Sequence, residues 1–278
     1  MAEDVYRGYK IASLKPEEVG DFYLSLQSNP LGCLTNEYMV LENAGTGEPI
    51  ESYRWDGSSM LRVPFKAIRS RYFGNVKPRN IQQQLAVDML YNNDITVKML
   101  AGRYGTGKDY LMCAAAIEQL DKGKVDKIVY VRNNIEVKDS KPIGFLPGSN
   151  DEKLLPYAMV LADKLGGRDA LELLISQGRI ELIHLGFIRG RDIKNSIVYC
   201  SEAENMTKEH IQLLLGRIGE GSSLWLNGDA RQTDLNALKQ NSGMKLALDR
   251  LKGHPRFGYV QLQKTERSET AAMADLLD

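Results

Sequence analysis

A length of 278 residues suits one α/β domain with an appendage, and 43% hydrophobic with 26% charged residues describes a soluble globular protein. No apolar run approaches the ~18 residues of a membrane span, and Met1-Ala-Glu-Asp does not begin a signal peptide. The formal net charge is zero, so no global attraction to nucleic acid is expected. Cys33, Cys113 and Cys200 are odd in number and lack metal-site spacing, as do the dispersed His184, His210 and His254. Reduced core thiols and a cytoplasmic location are the expectation.

In chain order, residues 1–33 are mixed, with one helix predicted from Pro16 to Leu26. Pro16 stands near its start, and Glu17, Glu18 and Asp21 lie near its positive end. From Asn36 to Phe65 short strands at Tyr38–Leu41, Tyr53–Trp55 and Met60–Val63 alternate with turn residues, which predicts a small β-rich module over 34–79. Gly74–Pro78 reads as its linker. The charge shifts inside this region: residues 1–56 hold ten acids and four bases, whereas residues 57–87 hold six bases and no acid. Tyr72 and Phe73 lie within the basic run. It is either a solvated basic face opposing the acidic segment, or a phosphate-backbone patch with stacking aromatics in which Arg69 and Arg71 contact nucleic acid.

The main domain is expected over 80–278. A helix from Ile81 to Tyr91 places Ile81, Leu85 and Met89 on one face. Ile95–Leu100 then reads as a buried strand, followed by a loop with Gly102, Gly105 and Gly107, then Lys108 and an Ala/Leu-rich helix from Tyr110 to Leu120. Glycines let the backbone curl so that successive N–H groups converge on a phosphate. The positive end of the helix adds to that field, and the lysine reaches the β/γ oxygens. The pattern G-x-x-x-x-G-K-[ST] holds from Gly102 through Lys108 and breaks at Asp109. Candidate nucleotide contacts are therefore Gly102, Arg103, Tyr104, Gly105, Thr106, Gly107, Lys108, Asp109 and Tyr110; a plain glycine turn is the alternative.

A strand at Lys127–Val131 leads into a long polar segment, Arg132–Pro156, longer than an ordinary crossover and therefore expected to be a functional loop or pore element. Helices follow at Leu154–Leu165 and Asp169–Gln177, then a strand at Ser196–Cys200. Thr207 caps a helix striped by Ile211, Leu214, Leu215 and Ile218. A strand at Ser223–Asn227, a helical stretch Leu235–Leu251, a strand Gly258–Leu262 and a last helix from Ser268 complete the chain. Alternating strands and helices predict a mostly parallel sheet with its chemistry at the strand C-termini. There Ser201, Glu202, Glu204 and Asn205 end one strand. Glu202 is the candidate base for polarising water, or else a helix N-terminal acid. Asn227, Asp229, Gln232 and Asp234 are placed to sense a γ-phosphate or substrate. Arg267 faces a neighbouring subunit's γ-phosphate or is a surface charge.

Over Asn80–Leu277 the chain resembles the PhoH family of P-loop ATPases. The matching residues are Arg79-Asn-Ile-Gln-Gln83 with Ala86, Gly102–Lys108, Val131-Arg132, Gly144-Phe-Leu-Pro-Gly148 with Glu152-Lys153, and Arg189-Gly-Arg191. Glu202-Ala-Glu-Asn205, Arg217-Ile-Gly-Glu-Gly221, Gly228-Asp229, Gln232 with Asp234, and Arg267-Ser268 continue the series in order. Residues 30–79 look like the β-rich stretch before the ATPase domain in members that also carry a nuclease-like domain. The resemblance implies a RecA-like core, ATP hydrolysis with Mg²⁺, a homo-oligomeric and hexameric ring, and action on RNA or single-stranded DNA, with Arg189 and Arg191 among the contacts. It also implies that Gln83 lies near the adenine and that Lys108, Glu202, Asp229 and Arg267 are catalytic.

Two departures stand out. The family has Thr where this chain has Asp109, and Asp where it has Ser201; Glu204 also replaces a usual Gln. In the family the hydroxyl binds Mg²⁺ and the Asp holds its water shell, so here a carboxylate and a hydroxyl have exchanged places around one metal site. Magnesium accepts either oxygen type but demands near-octahedral geometry. The exchange leaves two outcomes, slow hydrolysis or a nucleotide-binding scaffold without turnover. A metabolite kinase is a third class, for which no acceptor motif is visible.

Overall fold

A computed structural model describes residues 5–132, 150–229 and 242–266. Its first sheet is made by β1 (Tyr9–Leu14), β2 (Tyr38–Asn43), β3 (Pro49–Trp55) and β4 (Met60–Arg62), side by side in that order. β1 runs parallel to β2, and the other pairs are antiparallel. Helix α1 (Pro16–Leu24) joins β1 to the rest and is two residues shorter than predicted. Period-two alternation makes β2 the centre of the module. Its Met39 and Leu41 face a local cluster with Phe22, Tyr53 and Met60, while Tyr38 and Val40 enter the main core beside Leu85 and Val87. A module that shares its central strand with the core is anchored by hydrophobic burial.

Polar contacts reinforce that junction. Tyr38 donates to Asp88 Oδ2 at 2.9 Å, and Arg54 pairs with the same oxygen at 3.3 Å. Asn36 donates to the Pro255 carbonyl at 2.9 Å and the Phe257 carbonyl at 3.1 Å.

A hairpin of β5 (Ile68–Ser70) and β6 (Gly74–Val76) follows. Its strands are three residues long, too short to show a period in sequence, so the predicted linker Gly74–Pro78 begins instead with a paired strand. Helix α2 (Ile81–Tyr91) starts at Asn80, whose side chain accepts the Gln83 N–H at 3.0 Å, a cap of the usual kind.

The main sheet is parallel throughout. Its strands are β7 (Val97–Gly102), β8 (Lys127–Arg132), β9 (Ile180–His184), β10 (Ser196–Cys200), β11 (Ser223–Gly228) and β12 (Phe257–Leu262). Their order is β12-β7-β11-β10-β8-β9. The predicted strands beginning at Ile95 and Ser196 thus share one sheet, separated by β11. β9 and β1 were not anticipated. Helices α3 (Lys108–Asp121), α4 (Asn150–Leu165) and α5 (Arg168–Ser176) pack with α2 on one face, where Leu85, Leu100, Ala115, Leu161 and Leu171 meet in one cluster. Helices α6 (Lys208–Leu215) and α7 (Gly243–Leu251) cover the other face, around Met99, Val198, Ile211 and Met244. Burial on both faces explains why these strands read as continuous apolar runs.

Candidate nucleotide site

All of β7, β10 and β11 end at the same edge of the sheet, where ligands settle in open α/β folds. The turn from β7 into α3 is the glycine loop, the candidate phosphate site. Gly105 and Gly107 have φ of +76° and +85°, conformations that an L side chain adopts only with strain. A Cβ on Gly102 would stand 2.7 Å from the Leu262 carbonyl and 2.8 Å from Thr106 Oγ1. Thr106 is buried and donates its hydroxyl to the Arg103 carbonyl at 2.8 Å, closing the loop on itself. Lys108 Nζ donates to the same carbonyl at 3.4 Å, so the ammonium lies across the loop.

One wall of the loop is tied through its backbone. Gln83 donates its amide to the Thr106 carbonyl at 3.0 Å and accepts the Arg79 N–H at 2.9 Å. The Glu266 N–H donates to the Gly105 carbonyl at 2.9 Å, and its carboxylate accepts from Asn80 at 2.9 Å. Beside this wall lies a pocket of about 530 Å³, lined among others by Val76, Lys77, Arg79, Gln83, Gly107 and Tyr110. That is ample for a nucleobase and sugar. Tyr110 stands edge-on to Phe73 at 5.3 Å and holds the pocket's hairpin side. The contributions of the β5–β6 hairpin and of Glu266 were not foreseen from sequence.

The opposite wall is made by side chains. Tyr199 donates to Asp109 Oδ1 at 3.1 Å, and the Asn227 amide donates to the same oxygen and to the Tyr199 hydroxyl, the latter at 3.0 Å. Tyr130 donates to Ser201 Oγ at 3.0 Å, and its ring stacks on Tyr199 at 5.5 Å. Strand alternation puts Tyr199 and Ser201 on one face of β10, so the signal for Tyr199 lay in the period, two residues before a flagged position. The exchanged residues Asp109 and Ser201 are thus each held by a tyrosine.

Glu202, at the tip of β10, is exposed and has φ of +55°. A non-glycine residue in the left-handed region marks a site that the surrounding fold holds in place. Glu204 turns inward instead and accepts the Asp229 N–H at 3.2 Å. Burial pushes its carboxyl up to about 7, opposed by the backbone donors and by Lys108 and helped by the charge of Glu202. Lys108 and Glu202 are therefore each within electrostatic reach of Glu204. Asp229 is buried at the end of β11.

Other predicted residues fall elsewhere. Arg69, Arg71 and Arg189 are exposed. Arg191 is gripped by Glu181 through both carboxylate oxygens, at 2.5 and 3.1 Å. In the basic run, Arg62 pairs with Glu51, and Lys66 lies 3.5 Å over the Tyr91 ring. Arg267, Gln232, Asp234 and the stretch 144–148 lie outside the described residues. Cys33, Cys113 and Cys200 are buried free thiols. Among the described residues no helix is long and apolar enough to cross a membrane, and no three His, Cys, Asp or Glu side chains gather as a metal cluster.

A parallel sheet, a glycine loop opening a helix, a lysine at its mouth and acids at the adjoining strand ends define a P-loop nucleotide-binding protein. The chain belongs to the PhoH-like family: the pattern of that family, described as "PhoH-like protein", matches residues 75–276. It is 32% identical over 294 residues to "Protein PhoH2" of Bacillus subtilis, covering 99% of this chain and 65% of that protein. It is 32% identical over 201 residues to "Protein PhoH2" of Mycolicibacterium smegmatis, covering 71% and 46%. A "PhoH-like protein" of Mycobacterium leprae is 36% identical over 177 residues, covering 63% and 49%. The chain therefore spans about half to two thirds of the length of these relatives.

Proposed function

We propose that this protein binds ATP with Mg²⁺ and hydrolyses it slowly, as a homo-oligomeric, hexameric ring acting on RNA or single-stranded DNA. The core is then RecA-like over 80–278, with 34–79 as an attached module. The observation that carries the reading is the glycine loop, tied at Thr106 and Gly105, with Lys108 across its mouth and a 530 Å³ pocket at its side. The buried free thiols fit a reducing, cytoplasmic setting.

In this reading the loop N–H groups and the start of α3 hold the phosphates, and Lys108 offsets charge on the β/γ oxygens. Tyr110 and the hairpin wall seat the base, while Gln83 supports the loop from beneath. β11 lies between the loop strand and β10, which sets Glu202 two strands away from the loop strand. The exposed Glu202 carboxylate orients and polarises the attacking water, and Asp229 lines the far side. Asp109 and Ser201 fit a Mg²⁺ ion: Asn227 beside them carries a buried Oδ1 with no hydrogen-bond partner among the described residues. With no acidic cluster among the described residues, the cation would take its other oxygens from phosphate and water, as Mg²⁺ commonly does. Bound there, it would supply positive charge to the phosphate oxygens. Arg267 acts on a neighbouring subunit's nucleotide, and Arg69, Arg71 and Arg189 contact the nucleic-acid backbone, with Arg191 the weakest candidate because Glu181 already holds it.

Labelled-ATP binding and phosphate release, with and without Mg²⁺ and RNA or single-stranded DNA at two salt concentrations, test this. Lys108→Ala is expected to lower ATP affinity at least ~10-fold, and Glu202→Gln to keep affinity but lose roughly 10²–10⁴-fold in turnover. Nucleic-acid binding must weaken as salt rises. A natural protein that binds no ATP, or a turnover untouched by Glu202→Gln, overturns the respective part.

A further inference from the structure

The exchange of carboxylate and hydroxyl at Asp109 and Ser201 is accompanied by a set of hydrogen bonds that no motif describes. Counting donors and acceptors fixes their sense. A tyrosine hydroxyl has one proton to give and two lone pairs. Tyr199 gives its proton to Asp109 Oδ1 at 3.1 Å and receives from the Asn227 amide at 3.0 Å and the Cys113 thiol at 3.8 Å. Asn227 gives its two amide protons to Tyr199 and to Asp109 Oδ1. The reverse amide orientation would set a carbonyl against a carboxylate, so the orientation is determined. Asp109 Oδ1 therefore has both acceptor positions filled.

From this we infer that Tyr199 and Asn227 are positioning residues for Asp109: they saturate Oδ1 on the sheet side so that Oδ2 alone is presented to a divalent cation at the phosphate loop. Tyr130, stacked on Tyr199, holds Ser201 in the same way. The inference rests on the nucleotide reading above and deepens it. An unrestrained aspartate in the first turn of α3 would swing toward the phosphates and repel them. Pinned by neutral donors, it is a single oxygen ligand at a fixed place, which suits a cation that tolerates little distortion. Asn227, although at a strand tip where a γ-phosphate sensor was expected, has both its donors committed to this task.

The test is the Mg²⁺ dependence of nucleotide binding, which simple packing would not alter. A fluorescent ATP analogue is titrated against the full chain at stepped Mg²⁺ concentrations, for the natural protein, Tyr199→Phe and Asn227→Ala, each checked by thermal melting. The expected result is a rise of roughly tenfold in the Mg²⁺ needed for half-maximal binding in either variant, the lower end of the weight of one hydrogen bond to a charged group. Metal-free affinity should be unchanged or lower, since a freed carboxylate repels phosphate. Identical Mg²⁺ curves in both variants, with the natural protein binding normally, overturn this inference alone. A natural protein that binds no nucleotide at any Mg²⁺ concentration overturns both this and the nucleotide reading.

Discussion

The two walls of the glycine loop are held by different means. Toward α2, the Gln83 amide and the Glu266 N–H tie down main-chain carbonyls of the loop. Toward β10 and β11, side chain binds side chain among Tyr199, Asn227, Asp109, Tyr130 and Ser201. The first wall depends on backbone geometry, and there the chain keeps the family pattern. The second depends on a matched set of side chains, and both Asp109 and Ser201 belong to it. In a set whose members bond one another, a change at one side chain is felt by its partners.

Three substitutions sharpen that contrast, and the largest effect is expected beneath the second wall. Glu204 is raised from 4.5 to about 7 by burial, so its protonated form suits the fold. Its stabilising contribution is complete below pH ~4.5 and is lost as pH rises through about 7. Relative to Glu204→Gln, the natural protein should lose on the order of 3 kcal/mol of unfolding free energy between those limits, read by urea denaturation at stepped pH. A pH-independent difference would mean that the carboxylate is ionised at no cost.

Next in size is Gln83→Ala. It strands the Thr106 carbonyl and the Arg79 N–H and should cost about 2 kcal/mol. Smaller still is Tyr199→Phe, at about 1 kcal/mol, because Asp109 keeps its Asn227 donor. Denaturation midpoints decide the order. Equal losses would erase the distinction between a backbone-tied and a side-chain-tied wall.

The sheet and the loop were legible because burial on both strand faces and a glycine–lysine spacing leave marks within a few neighbouring residues. β1 and the β5–β6 hairpin were not, since β1 follows weak alternation and the hairpin strands are three residues each. β9 was passed over although Ile180, Leu182 and Ile183 are buried, because Glu181 and His184 break the apolar run. At the site, Asp109, Ser201 and Asn227 could be named from position, but the partners of each could not. Their bonds join residues 28 to 118 apart in the chain. The partner of Arg191 was equally hidden, since Glu181 sits ten residues back on another element.

The start of the described chain carries a consequence for how the molecule is made. The Gln261 N–H donates to the Arg7 carbonyl and the Tyr38 N–H to the Gly8 carbonyl, so residues 7 and 8 bridge β12 and β2. Tyr6 stacks on Tyr259 at 5.8 Å, and Tyr9 donates to Gln263 at 2.9 Å, a contact spanning 254 positions. A Cβ on Gly8 would collide with the Tyr259 carbonyl. On a ribosome adding about 5–20 residues per second, that early strap waits roughly 10–50 s before its partner strand exists. Until then β12's place beside the phosphate-loop strand is empty, and the nascent sheet exposes the edge of β7. Closure of the strap is thus the step that ends a long window of vulnerability to mispairing, and a chain impaired at Gly8 should betray itself first as an aggregating nascent product.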